Sequence, residues 1–324
     1  MFDYNNYCRQ SVFNGQQFLI SKIGTSKEDF VRLGGNCNGY GRVRVFKRRK
    51  DADWIDNPIP LDPFSMALAL PRLDEIEVQV FELAKCNLNC WWCFLPDEYK
   101  NNTGINSAWF TPTQLIDMYQ DEQVNASVID LTGGNPELAP EWCLGFMKAL
   151  ENKGLEQKVY LWSDDVLTTN YFFDKISEKD QSYMAEYKMY GKVACFKGFD
   201  KESFSFNTCC SEELFQNQLL LAKKYINVGF DIYFYIALTC ANISGLEKRI
   251  ATFFDDLQRI SYFLPLRVVP IKIKHFEANY GRFSTPTRLE SVENQYVVLE
   301  VWKNELEKRF SSFEREQMVS TIKL

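Results

Sequence analysis

The sequence predicts an α/β protein: six strand-then-helix units beginning near residue 76, preceded by an irregular extension. Three observations support this. Short β-rich runs alternate with helical stretches six times. The loops that follow the runs are rich in glycine or cysteine. Residues 1–75 lack the alternation: Gly34, Gly35, Gly39 and Gly41 gather around Cys37, and Pro58, Pro60, Pro63 and Pro71 punctuate the rest. Alternating strands and helices imply parallel strands joined by right-handed crossovers. Six units suit either an open doubly wound sheet or an incomplete barrel, and both put reactive groups at the carboxyl ends of the strands.

Within the extension, Arg42-Val43-Arg44-Val45-Phe46 reads as a strand. The first repeating strand is Ile76–Phe81, alternating apolar and polar. Its helix starts at Thr111-Pro112-Thr113-Gln114, where Thr111 can cap, Pro112 suits the first helical position and Gln114 completes a capping box. Val128–Leu131 is the second strand, and its helix runs from near Pro140 to a glycine stop at Gly154. Val159–Trp162 is the third, with helical sequence to about Tyr190. Val193–Phe196 is the fourth, and its helix spans Ser211 to just before Gly229. Ile232–Leu238 is the fifth, followed by a second capping box at Ser244-Gly245-Leu246-Glu247. Leu266–Ile273 is the sixth; Pro270 moves it toward an edge, and an amphipathic helix follows near Glu290–Phe310. No fixed-period repeat or low-complexity tract interrupts the pattern.

Of the 324 residues, 46% are apolar and 25% charged, a soluble globular balance, and the 15% aromatic content reads as a bulky core. A formal charge of −6 gives no global attraction to nucleic acid or anionic membrane. One basic run, Lys47-Arg48-Arg49-Lys50 with Arg42 and Arg44 nearby, suits a phosphate-bearing substrate or nucleic acid, or simply a solvated loop. Met1–Tyr7 has no basic flank and no apolar stretch, and the longest apolar run, Phe64–Leu70, is too short for a bilayer. The expectation is a cytoplasmic protein without membrane contact. Its ten cysteines then need a reason other than disulfides.

Three of them supply one. Directly after the first strand comes Lys85-Cys86-Asn87-Leu88-Asn89-Cys90-Trp91-Trp92-Cys93-Phe94. Thiolates select iron–sulfur clusters or zinc. A structural zinc site closes with four ligands, and the only histidine, His275, is far off in sequence. Three cysteines leave one iron of a [4Fe–4S] cube open to a small ligand. The Cys-x3-Cys-x2-Cys spacing, with an aromatic before the last cysteine, resembles the radical S-adenosylmethionine (radical SAM) superfamily. The resemblance covers roughly residues 76 to 275 and weakens after Gly134. It implies that Cys86, Cys90 and Cys93 ligate three irons, that S-adenosylmethionine chelates the fourth, and that Trp92 lies against the adenine. It further implies reductive cleavage to methionine and a 5′-deoxyadenosyl radical, with electrons from a donor such as a flavodoxin or ferredoxin.

The other strand ends extend the resemblance. Gly133-Gly134-Asn135-Pro136 is similar to the superfamily's Gly-Gly-Glu-Pro loop, whose backbone meets the methionine amino group; Asn135 stands where an acid is commoner. Ser163, Asp164 and Asp165 fall where ribose contacts occur, or the two adjacent acids could cap the next helix. Lys197 suits the cofactor carboxylate, or is a solvated lysine. Ile243 and Gly245 match a weak adenine-side motif only in part. His275, after the sixth strand, is a candidate for proton transfer or a structural residue. Cys8, Cys37, Cys143, Cys195, Cys209, Cys210 and Cys240 read as buried thiols before ligands of a second cluster.

The combined expectation is an incomplete (β/α)6 TIM-like barrel: residues 1–75 as an extension wrapping it, 76–285 as the radical SAM core and 286–324 as a C-terminal helical segment. Its activity would be hydrogen abstraction from a substrate the sequence does not name. Alternatives are a glycyl-radical activase acting on a partner protein, modification of a nucleotide, RNA or peptide, and a non-catalytic iron–sulfur or zinc-binding interaction protein.

Overall fold

The alternating apolar positions of the strands sort onto two faces of one nine-stranded sheet. The structure is a computed structural model, and it describes residues 3–23, 34–97, 106–122, 126–275 and 277–324. Six strands run parallel in sequence order: β3 (Glu75–Leu83), β5 (Val128–Gly133), β6 (Tyr160–Asp165), β7 (Tyr190–Phe196), β8 (Ile232–Ala237) and β9 (Val268–Ile271). Because the order never reverses, the sheet is wound in one direction, and the doubly wound alternative is set aside. The extension joins the same sheet. β2 (Arg42–Lys47) pairs antiparallel with β3, and β1 (Phe18–Ser21) bridges β3 to β4 (Ser107–Phe110).

Phe81, Ile129, Leu131, Leu161, Ala194, Phe196, Phe234 and Ile236 face the helical layer. That layer holds α3 (Pro112–Asp121), α4 (Glu141–Asn152), α5 (Tyr171–Lys175), α6 (Glu178–Ala185), α7 (Lys201–Thr208), α8 (Leu214–Val228), α9 (Leu246–Ile260) and α10 (Pro286–Arg309), with short α11 (Ser312–Arg315) behind. Val78, Val80, Val128, Tyr160, Trp162, Val193, Tyr233 and Val269 face the other way. They are covered by Leu61 and Phe64 of α2 (Leu61–Ala67) and by Val319, the Phe64 ring lying 6.0 Å from that of Tyr160. This plug fills the amino-terminal half of the inner face and leaves the carboxyl-terminal half open.

The capping box at Thr111 forms: its hydroxyl accepts the Gln114 N–H at 3.2 Å, and the Gln114 side chain accepts the Thr111 N–H at 2.8 Å. The one at Ser244 does not. Gly245, left-handed at φ +62°, takes the N-cap position of α9 and offers no side chain, while Ser244 is held by Asn242. Tyr190 opens β7 instead of ending a helix. Pro270 lies on β9, an edge strand as expected, and its carbonyl accepts the Trp54 indole N–H at 3.0 Å. α1 (Tyr4–Gln10) packs over the cysteine and glycine loops, with Arg9 bonded to the Leu138 carbonyl and to Glu141.

The basic run is engaged within the chain. Arg48 pairs with buried Asp62 at 2.6 Å, Lys47 with Glu75, Arg49 with Asp56, and Arg42 with Glu82. Arg42 and Arg48 are buried in their pairs, whereas the Lys47 and Arg49 side chains stay exposed. Among the described residues, no helix is long and apolar enough to cross a membrane.

Candidate active site

A cavity of about 730 Å³, its mouth included, opens at the carboxyl ends of the parallel strands. Cys86, Cys90, Trp92 and Cys93 line one wall; Thr132, Gly133, Gly134 and Asp164 line another; Cys195, Lys197, Val193 and Tyr235 complete it. Thr132, Asp164, Val193, Cys195 and Tyr235 share the strand parity of the inner-face core. The cavity is thus the unplugged upper half of that face.

The cysteine loop is held from outside the cavity. Trp91 is buried between Phe206 and Phe283, with ring centroids 5.6 and 4.9 Å away. The Asn89 and Trp91 N–H groups donate to the carbonyls of Thr208 and Asn207. Asn207 in turn donates to the Lys197 and Thr239 carbonyls at 2.8 and 2.9 Å, tying the loop to the ends of β7 and β8. Burial pushes the Cys90 thiol well up; the Lys197 ammonium opposes this, and neighbouring Cys86 and Cys93 add to it. A bare thiolate here is costly, whereas a thiolate bonded to iron shares its charge with the metal. Among the described residues, no three His, Cys, Asp or Glu side chains gather around a single ion. Three thiol ligands leave one iron of a [4Fe–4S] cube open, whereas a structural zinc closes with a fourth ligand.

The glycine loop docks against the start of the cysteine loop. The Gly134 N–H donates to the Leu83 carbonyl and the Asn135 N–H to that of Lys85, continuing the β3–β5 ladder. A side chain at 134 would meet the Lys85 carbonyl oxygen at 1.8 Å, and Gly133 sits at φ +99°. Both positions require glycine.

The expected site residues divide between the cavity and its surroundings. Trp92, Gly133, Gly134, Asp164 and Lys197 line the cavity beside the three cysteines. Lys197 is not a solvated lysine: it is buried, its ammonium 5.2 Å from the centre of the Trp92 ring. Burial works against its charge, but Cys195, Cys90 and Cys86 outweigh that and raise its pKa. Burial raises the Asp164 carboxyl, while the Thr132 hydroxyl bond and Lys197 hold it down. Ser163 has the opposite strand parity and bonds Tyr190 at 2.7 Å within the helix-facing layer, so it is not a ribose partner. Asn135 is buried away from the cavity, against Asn87. His275 is exposed, its ring tilted against that of Phe283 with centroids 4.0 Å apart, and does not line the cavity. Ile243 is also exposed. Asn87, Asn207 and Tyr235 carry no sequence signal of a role at the site, whereas Asp165, expected beside Asp164 as a ribose acceptor, lines the cavity. Of the other cysteines, Cys8, Cys37, Cys143 and Cys240 are buried, Cys195 lines the cavity, and Cys209 is exposed.

A family model described as a 4Fe-4S single cluster domain matches residues 76–217, the stretch that contains all three loop cysteines. A Methanocaldococcus jannaschii protein named “Putative glycyl-radical enzyme activating enzyme” is 24% identical over 197 residues, 60% of this chain and 46% of that protein. The chain spans about half the length of this curated relative. Among solved structures, Streptococcus suis SuiB bound to S-adenosylmethionine is similar at 14% identity and a TM-score of 0.48, covering 72% of this chain and 48% of that one. A second SuiB structure gives 16% identity and a TM-score of 0.38, covering 56% and 36%.

Proposed function

We propose that this chain is a radical SAM enzyme that holds a [4Fe–4S] cluster through Cys86, Cys90 and Cys93 and binds S-adenosylmethionine in the cavity above the plug. One observation carries the reading: three cysteines, a glycine pair, a carboxylate and a buried lysine converge on one cavity at the carboxyl ends of six parallel strands. When bound, the cluster supplies the electron that splits the sulfonium C–S bond, giving methionine and a 5′-deoxyadenosyl radical for hydrogen abstraction. The chain's own groups bind and orient. The N–H groups of Gly134 and Asn135 are already used, so the glycine loop offers carbonyl oxygens, the acceptors an ammonium needs. Lys197 faces the methionyl carboxylate, Asp164 the ribose hydroxyls, and Trp92 the adenine. The plug of Phe64, Tyr160 and Trp162 excludes water from below.

The same reading takes the parallel strands as an incomplete (β/α)6 barrel, with residues 1–75 wrapping it, 76–285 as its core and 286–324 as its helical tail. Electrons would come from a small carrier such as a flavodoxin or ferredoxin. A second reading, activation of a glycyl-radical partner enzyme, draws on the name of the archaeal relative.

Anaerobic reconstitution tests the reading. The protein should take up about four irons with matching sulfide. Dithionite and S-adenosylmethionine should then release 5′-deoxyadenosine, and Cys90→Ala should lose both. Zinc without sulfide, or a full cluster that leaves S-adenosylmethionine intact, overturns it.

A further inference from the structure

A chain of buried amides joins the cysteine loop to the glycine loop. Asn135 is fully buried: its Nδ2 donates to Oδ1 of Asn87 at 2.9 Å, and its Oδ1 accepts the Glu137 N–H at 3.2 Å. Asn87, between Cys86 and Cys90, passes the connection on. Its Nδ2 donates to the Thr168 hydroxyl at 2.9 Å and to Oδ1 of Asn5 at 3.0 Å. Thr168 follows β6, whose end carries Asp164 and Asp165, and Asn5 belongs to α1. One side chain of the cysteine loop thus meets the glycine loop, the loop after β6 and the amino-terminal helix.

Neither amide lines the cavity. Buried amides are costly unless their groups are bonded, and once bonded they fix one arrangement of the segments that carry them. We propose that Asn87 and Asn135 are a positioning pair that locks the cysteine loop against the glycine loop. The lock keeps the open iron of the cluster and the backbone groups for the methionyl amine at a fixed separation. The inference rests on the site reading above and deepens it. An amide at 135 both receives the Glu137 N–H and donates to Asn87, whereas a carboxylate can only accept.

The network specifies which substitutions it tolerates. An aspartate at 135 is accommodated if Asn87 turns its amide over, with the Thr168 hydroxyl and a turned Asn5 donating in place of accepting. Alanine at either position removes the joint.

The test uses reconstituted holoenzyme of Asn87→Ala, Asn135→Ala, the double variant and Asn135→Asp. Two quantities are read: the Kd for S-adenosylmethionine, by paramagnetic resonance titration of the reduced cluster, and hydrogen exchange at the backbone amides of 86–93. Each alanine variant should raise Kd about tenfold. The double variant should raise it by no more than that same tenfold, because both changes cut one joint. Exchange at 86–93 should speed up in all three alanine-bearing proteins, while Asn135→Asp stays within about twofold of the parent in Kd. If an alanine variant fails to assemble its cluster, Thr168→Val cuts the same network from its far end and should speed exchange at 86–93. Unchanged exchange and Kd, or single effects that multiply in the double variant, overturn the pair. A parent protein that does not cleave S-adenosylmethionine counts against the site reading; variants indistinguishable from a cleaving parent count against the pair alone.

Discussion

Gly134 abuts the residue that introduces the cysteine loop, and the contact is backbone to backbone. A Cβ there, 1.8 Å from the Lys85 carbonyl oxygen, can be accommodated only if the two loops move apart. Gly134→Ala is expected to keep a cluster, because the cysteines are untouched. It should lower 5′-deoxyadenosine formation about a hundredfold, the usual cost of misplacing reacting groups by about an ångström. An anaerobic activity assay normalised to iron content checks this, and a variant as active as the parent would refute the close approach. At this scale the cysteine triplet and the glycine pair were legible because their spacing alone has chemical meaning. Ser163 was not, because strand parity decides its direction. Counting from Tyr160 and Trp162 on the inner face, Asp164 points into the cavity and Ser163 toward Tyr190. Lys197 and Lys192 divide the same way: Lys197 lines the cavity, while Lys192 is buried against Glu137 and Asp165.

The Lys192 group joins β6, β7 and the turn after the glycine loop. Burial works against the Lys192 ammonium, but Glu137 and Asp165 outweigh it and raise its pKa. Glu137 takes the close contact; Asp165, at 3.8 Å, receives less of the charge. Burial lifts the Asp165 carboxyl to about 7, Glu137 adding to it and Lys192 and the Leu167 N–H opposing. The unfolded value is about 3.9, so between about pH 4 and about pH 7 the native state keeps a proton that the unfolded chain has released. Asp165 therefore favours the native state at the low end of that window, and the benefit is lost as pH rises through 7. Asp165→Asn is expected to flatten the fall in urea midpoint between roughly pH 5.5 and pH 7.5. A variant that retains the full slope excludes Asp165 as its source. Among the elements, the box at Thr111 was legible because threonine, proline and glutamine each fit their positions. The box at Ser244 had the same letters, but Gly245 took the left-handed conformation and the cap position. β1 and β4 were missed because each is four residues long and exists only through pairing with a distant segment.

Over the whole molecule, one sheet face is shared between a plug and a cavity. Phe64 sits in the plug against Tyr160, and the cavity begins a layer above. Phe64→Ala should lower unfolding free energy by about 3 kcal/mol through the void it leaves. It should leave the affinity for S-adenosylmethionine unchanged, as calorimetry and titration of the same preparation would read. A parallel fall in affinity would show that plug and cavity are not separable. The strand–helix class was legible throughout, since each unit carries its own periodicity. The choice between barrel and doubly wound sheet was not, because strand order is a relation among segments up to two hundred residues apart. The free margin at β9 is built from such a relation. Pro270 has no N–H to offer a visiting strand, its carbonyl is occupied by Trp54, and Lys272 beyond it is clasped by Asp53 at 2.6 Å. Bare strand margins are where chains stitch together into aggregates. A stretch encoded ahead of the cysteine loop thus serves as a selvedge, sparing the last strand from fibril-like association when the protein is concentrated.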